Sequence, residues 1–136
     1  MIKKNWVLIL IAVFALAALA VACGGGGSTA PITTVKTDDG KVSFAGTVQP
    51  ILVDHCKRCH DVGSERSVLM LMTHEGVMKG GKNGAVVVPG DPDASQIIGS
   101  VEKKKTPYMP PKVFPALTPD RIASIRAWIS EGANNN

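Results

Sequence analysis

The chain has few aromatic side chains, with two Trp, one Tyr and three Phe making up 4% of its 136 residues. A domain this poor in rings does not fill its core in the usual way, which leaves room for bulk from another source. Cysteine is scarce as well. Three cysteines exclude a disulfide-dense scaffold. There is no second Cys-x-x-Cys after the pair at positions 56 and 59, and only His55 and His74 stand outside position 60 as further imidazoles. A structural zinc site, which usually takes four ligands, is therefore short of donors. No βαβ pattern surrounds the cysteine pair, as a thioredoxin-like redox motif would require. No dense basic stripe interleaved with aromatics occurs, which argues against a nucleic-acid partner.

Against these absences stands one long apolar run. Met1, Ile2, Lys3 and Lys4 open the chain, and Trp6 to Ala22 follows without a charge. This order of charged region, apolar region and small residues reads as an export signal. An uncleaved membrane helix is the rival, since the run sits at the lower edge of the roughly 17–25 residues that span a bilayer. Leu19-Ala20-Val21-Ala22-Cys23 resembles a bacterial lipoprotein signal, although Ala20 stands where that pattern usually has Leu. The resemblance implies cleavage before Cys23, a diacylglyceryl group on its thiol, and a membrane-anchored protein on the periplasmic or extracellular face. Gly24 to Gly27, Ser28 and Thr29 cannot bury apolar area. The expected organisation is therefore a signal peptide over 1–22, a flexible tether over 23–43 and one folded domain over 44–136. Losing residues 1–22 takes Lys3 and Lys4 from the 15 basic residues and leaves 13 against 11 acidic, a formal charge of +2. The basic character of the whole chain thus says little about partners.

The chemistry concentrates in Cys56-Lys57-Arg58-Cys59-His60, the spacing of a c-type haem attachment motif. Two thiols three positions apart can each bond one vinyl group of a single porphyrin, and the next residue, His60, offers its imidazole to the iron. Export agrees with this, because such attachment takes place outside the cytoplasm. A redox pair, a zinc site and a small, often strained disulfide remain the competing readings of Cys56 and Cys59. A haem iron on His60 has a sixth position. Met70 and Met72 lie in an apolar string suited to core packing. Met78 precedes Lys79-Gly80-Gly81, with nothing rigid to hold it. Met109 lies in Pro107-Tyr108-Met109-Pro110-Pro111, where three prolines remove backbone freedom and present a thioether on a fixed loop. Met109 is the expected distal ligand; Met78, a histidine or an open position are the alternatives. His55 and His74 read as surface or packing histidines, with His55 beside Cys56 and so near the haem propionates.

The elements expected around this site are helical. Phe44, Val48, Ile51 and Leu52 share one helical face that leads to the haem motif. Pro50 fits only if it falls in the first turn, so the helix is expected to begin near Thr47. Thr118 and Pro119 read as N-cap and first helical residue, and Ile122, Ile125, Trp128 and Ile129 form a stripe that stops at Gly132. Asp93 or Ser95 is placed to cap a short helix carrying Ile97, Ile98 and Val101, while Val86 to Val88 beside Pro89 reads as extended loop.

From Phe44 to Ala133 the chain resembles small single-haem cytochrome c domains of the planctomycete type. The resemblance is carried by Val48-Gln49-Pro50-Ile51-Leu52 before the Cys56–His60 motif, Gly80-Gly81, Val88-Pro89-Gly90-Asp91-Pro92 with Ser95, Met109-Pro110-Pro111, and Leu117-Thr118 leading to Trp128-Ile129 and Gly132-Ala133. It implies an all-α cytochrome c fold, three to four helices around one covalently attached haem c, with Cys56 and Cys59 as thioether sites and His60 and Met109 as axial ligands. It also implies electron transfer rather than catalysis. One departure concerns the proline whose carbonyl often accepts the Nδ1–H of the haem histidine, since no proline occurs between His60 and Pro89. The partner of His60 is therefore not assigned by sequence.

Lys103-Lys104-Lys105 is the densest charge run. Such a run is ordinarily a solvated surface, and near a haem edge it would steer an acidic redox partner. The function these readings favour is a lipid-tethered carrier of single electrons between exported redox proteins. A haem protein with a displaceable sixth ligand, acting as a gas sensor or in a peroxidase-like way, is the second reading; a zinc- or disulfide-bearing binding lipoprotein is the third.

Overall fold

The computed structural model describes residues 33–64 and 68–136. The signal peptide, Cys23 and Gly24 to Gly27 lie outside the described residues. Among the described residues, four α-helices follow a single π-helical turn at Phe44–Val48: α1 (Gln49–His60), α2 (His74–Lys79), α3 (Gln96–Val101) and α4 (Pro119–Ser130). Among the described residues there is no strand, only isolated bridges pairing Lys36 with Val42 and Gly81 with Gly84. The all-α class expected from the sequence holds. No helix among the described residues is long and apolar enough to cross a membrane.

Pro50 sits where its missing N–H is harmless. The chain enters through the π-helical turn, whose N-cap Ser43 accepts from the Gly46 amide at 3.0 Å, and Pro50 then occupies the first turn of α1, where no backbone donor is required. The helix does not stop at the haem motif, as the apolar face suggested, but carries it in its last turns. Lys57 and Arg58 in the last turn complement the negative end of the helix dipole.

The core gathers where α4 packs against the π-helical turn and α3. Trp128, 1% exposed, lies 5.3 Å from the Phe44 ring and 6.0 Å from His74 between ring centroids. Its indole N–H donates to the Asn134 carbonyl at 2.8 Å, so the ring is buried without an unsatisfied donor. Pro119 opens α4 as expected, but the Thr118 side chain makes no capping bond. Ser95 precedes α3 in the same manner, its hydroxyl instead donating to the Asp91 carbonyl at 2.8 Å and accepting from the Val88 amide at 2.8 Å. That fixes the turn-rich joint Val88 to Pro92, and Val86 to Val88 is loop. The helix the sequence did not locate is α2, capped by Thr73, whose hydroxyl accepts from the Gly76 amide at 3.1 Å.

Residues 33–43, assigned to the tether on composition, are instead held to the packed chain. The Val35 amide donates to the Thr47 hydroxyl at 2.7 Å, and the Val42 amide donates to the Glu131 carboxylate at 2.6 Å, with Val42 buried. A turn at Thr37 to Gly40 folds the segment back on itself, which the Gly/Ser/Thr bias upstream does not reveal. The chain then closes on its own end: Asn136 accepts from the Phe44 amide through Oδ1 at 2.7 Å and from the Ala45 amide through its carbonyl at 3.0 Å.

Candidate haem site

Cys56, Cys59 and His60 lie on the last turns of α1. Positions three apart on a helix share a face, so the two sulfurs point the same way and His60 follows directly. Both cysteines are free thiols and half-buried, which removes the disulfide reading for this structure. Burial, with the neighbouring Cys59 adding to it, pushes the Cys56 thiol up to about 11. A redox-active pair needs the opposite, a thiol whose thiolate is favoured. Among the described residues no three His, Cys, Asp or Glu side chains converge as a metal site would require, so the zinc reading gains no geometry.

His60 is oriented by the backbone. Its Nδ1 lies 3.0 Å from the Leu69 carbonyl oxygen; a carbonyl only accepts, so Nδ1 is the donor, and in the neutral ring Nε2 then keeps the lone pair. That is the tautomer a metal ligand needs. The acceptor left open by the missing proline is thus Leu69. The same loop binds again through the Leu71 amide, which donates to the His60 carbonyl at 3.0 Å, and the Ser64 hydroxyl donates to the Cys59 carbonyl at 2.9 Å.

The methionines separate into two groups. Met72 and Met78 pack against the hydrophobic core, Met72 as expected. Met70 is half-buried, with its backbone carbonyl against Gly76 of α2. Met109, also half-buried, stands on a loop held to α3 at two points: the Gln96 side-chain amide donates to the Thr106 carbonyl at 3.0 Å, and the Met109 backbone amide donates to the Ser100 carbonyl at 3.0 Å. Farther along that loop the Phe114 ring lies 5.2 Å from the Arg58 guanidinium, between the two cysteines in sequence. The loop that carries Met109 therefore returns to the cysteine motif.

Neither spare histidine is placed as an iron ligand. His74 packs edge-on to Phe44 at 5.2 Å, and its Nε2 donates to the Ala133 carbonyl at 2.8 Å. The Nε2 of His55 accepts from Arg121 on α4, whose guanidinium also lies 3.8 Å from Asp54. Burial first, and then the Arg121 charge, hold the His55 imidazole below its ordinary value. The pairing of His55 with Arg121 spans 66 positions and has no local signal in the sequence.

Two lysines of the run make contacts within the chain, Lys104 from an exposed position. Lys104 pairs with Glu102 at 2.7 Å, and Lys105 donates to the Asp93 carbonyl at 2.6 Å across the bare Cα of Gly99.

Residues 56–112 match the family model of planctomycete cytochrome C, from the first cysteine of the motif to just beyond Pro111. The match supports a cytochrome c-type domain over those residues. No curated protein and no solved structure matches the chain. The family implies haem c, and the residues fit it. Two free thiols share a helix face, His60 holds its proton away from Nε2, and three valines close in sequence to the site are uncovered: Val62 at 79%, Val68 at 74% and Val113 at 82% exposure.

Proposed function

We propose that the chain is a monohaem c-type cytochrome, tethered to a membrane by a lipid on Cys23, that passes single electrons between exported redox proteins. Cys56 and Cys59 would hold one haem through thioether bonds, with His60 and Met109 as the axial ligands. The bound haem supplies a one-electron iron couple. The protein's own residues do the rest. The Leu69 carbonyl keeps the His60 proton on Nδ1, and the prolines around Met109, with the hydrogen bond its backbone N–H donates to the Ser100 carbonyl, hold the loop that carries the thioether. A site closed by two fixed ligands changes little on gaining or losing an electron, which suits a carrier.

The observation that carries this reading is the 3.0 Å contact from Nδ1 of His60, on the helix that bears both free thiols, to the Leu69 carbonyl oxygen. Packing of Met72 and Met78 against the core favours Met109 over Met78 as distal ligand. Engagement of Lys104 and Lys105 within the molecule leaves less charge for an acidic partner face than three consecutive lysines suggest.

Optical spectra of the purified oxidised and reduced protein, with and without carbon monoxide, test the reading. A reduced c-type spectrum indifferent to carbon monoxide and an oxidised methionine-to-iron charge-transfer band are expected. A carbon monoxide-sensitive spectrum would favour the sensor or peroxidase-like reading, and a colourless protein would remove haem altogether. For the tether, Cys23→Ser is expected to leave the protein unprocessed or released without lipid; membrane fractionation at unchanged mobility would make Trp6 to Ala22 an anchor in its own right.

A further inference from the structure

The Gly80-Gly81 pair has no part in the proposed function so far, nor does Gln49 at the far end of α1 from the motif. Both meet the strip 69–72. The strip is tied to α1 at three points: His60 Nδ1 donates to the Leu69 carbonyl at 3.0 Å, the Leu71 amide donates to the His60 carbonyl at 3.0 Å, and the Gln49 side-chain amide donates to the Met72 carbonyl at 2.7 Å. Leu71 is buried between these ties. On its other side the strip leans on Gly81. A Cβ placed there would lie 3.1 Å from Leu69 Cβ, closer than side chains ordinarily pack, so Leu69 would have to give by a few tenths of an ångström. Gly81 is itself held, because its amide donates to the Gly84 carbonyl at 2.9 Å and its carbonyl accepts from the Gly84 amide at 3.0 Å.

We propose that Gln49 and Gly81 are positioning residues for His60: Gln49 holds the strip from one end, Gly81 leaves room for Leu69 beside it, and together they keep the Leu69 carbonyl on Nδ1 and so set the reduction potential. The inference rests on the reading of His60 as iron ligand. Its physics is that of an outer hydrogen bond. An imidazole that gives Nδ1–H to a carbonyl is a stronger donor at Nε2, which favours ferric over ferrous iron and lowers the potential. Such bonds weaken steeply with length, and one stretched to 3.6 Å is no longer a bond. A displacement of Leu69 by a few tenths of an ångström therefore raises the potential. Loss of the methionine ligand moves it the other way, so the sign of the shift tells the two sides of the iron apart.

The test uses the haem-loaded protein and its Gly81→Ala, Gln49→Leu and Gln49→Glu variants, with Ile98→Val as a control that thins the core at a residue 1% exposed. Gln49→Glu keeps the size of the side chain and replaces the amide donor by an acceptor, so it should behave like Gln49→Leu. Midpoint potential, hydrogen exchange of the Leu71 amide and retention of haem after denaturation are measured on each. All should retain haem. The three strip variants should shift to higher potential with faster Leu71 exchange, while Ile98→Val melts lower at unchanged potential. Haem retained with wild-type potentials in all three variants, or a shift to lower potential, overturns the inference and leaves the proposed function standing; a shift in only one residue's variants removes the other residue from it. A wild-type protein without haem overturns the proposed function and the inference together. If Gly81→Ala does not accumulate, the two Gln49 variants decide.

Discussion

The two long helices are alike in design and differ in how they end. Each has 12 residues, a proline in the first turn and no side-chain cap bond. In α4 the buried residues, Ser124, Ile125, Trp128 and Ile129, run down to its last turn. In α1 burial stops at Ile51 and Leu52, and everything from Val53 to His60 is half-buried or exposed. The protein finishes α4 by itself. It leaves the second half of α1 to be finished by something else, and that half carries Cys56, Cys59 and His60. On the proposed reading, the difference teaches where a covalent haem would enter the folding problem: the aromatic residues are few, and two of them, Phe44 and Trp128, are spent together on the α4 side.

If that contrast is right, perturbing the two helices should have different signatures. The largest effect is expected from Trp128→Ala, about 3–5 kcal/mol of lost stability, and it should be the same in haem-free and haem-loaded protein by denaturant titration. The next is the double change of Cys56 and Cys59 to Ala. Without thioethers the amides over 55–60 should lose most of their hydrogen-exchange protection relative to the loaded wild type, while those of Ile125 to Ile129 keep theirs; equal loss in both helices would break the comparison. Smaller again is the contrast between methionines. Met78→Ala should cost up to about 2 kcal/mol at unchanged potential, because Met78 packs on the core, whereas Met109→Ala should keep its haem, bind carbon monoxide and fall in potential. The smallest effect is in pH. The His55 imidazole is held below its ordinary value of 6.5, so the unfolded chain binds its proton more readily. The stability this contact contributes is then present above about pH 6.5 and lost as the pH falls below it. His55→Gln should flatten the acid side of the stability curve, and an unchanged slope between pH 7 and 5 would deny His55 that role.

Much of this molecule was legible in its sequence where the signal was local. Thr118-Pro119 and the spaced Ile122, Ile125, Trp128 and Ile129 announced α4, and Pro50 located the start of α1 because its chemistry allows few places. The haem motif was legible because its chemistry fixes both spacing and residue type. What stayed hidden depends on contacts between distant positions. The acceptor for His60 is a backbone carbonyl, and Leu69 carries no side-chain mark of that role. Helix α2 is six residues with an internal glycine, too short for a periodic stripe. Val35 and Val42 lie beyond a Gly-rich stretch, and only their bonds to Thr47 and Glu131 show that the packed chain starts before Phe44. Lys104 and Lys105 looked like free surface charge until Glu102 and the Asp93 carbonyl were seen to engage them.

The measurement that bears most directly on the unfinished half of α1 is the intact mass of the exported protein, made in cells with a haem-attachment system and then denatured, extracted with acid-acetone and treated with a thiol alkylator. The account predicts the polypeptide plus one haem, with Cys56 and Cys59 unavailable to the alkylator. A bare polypeptide with both thiols alkylated would contradict it.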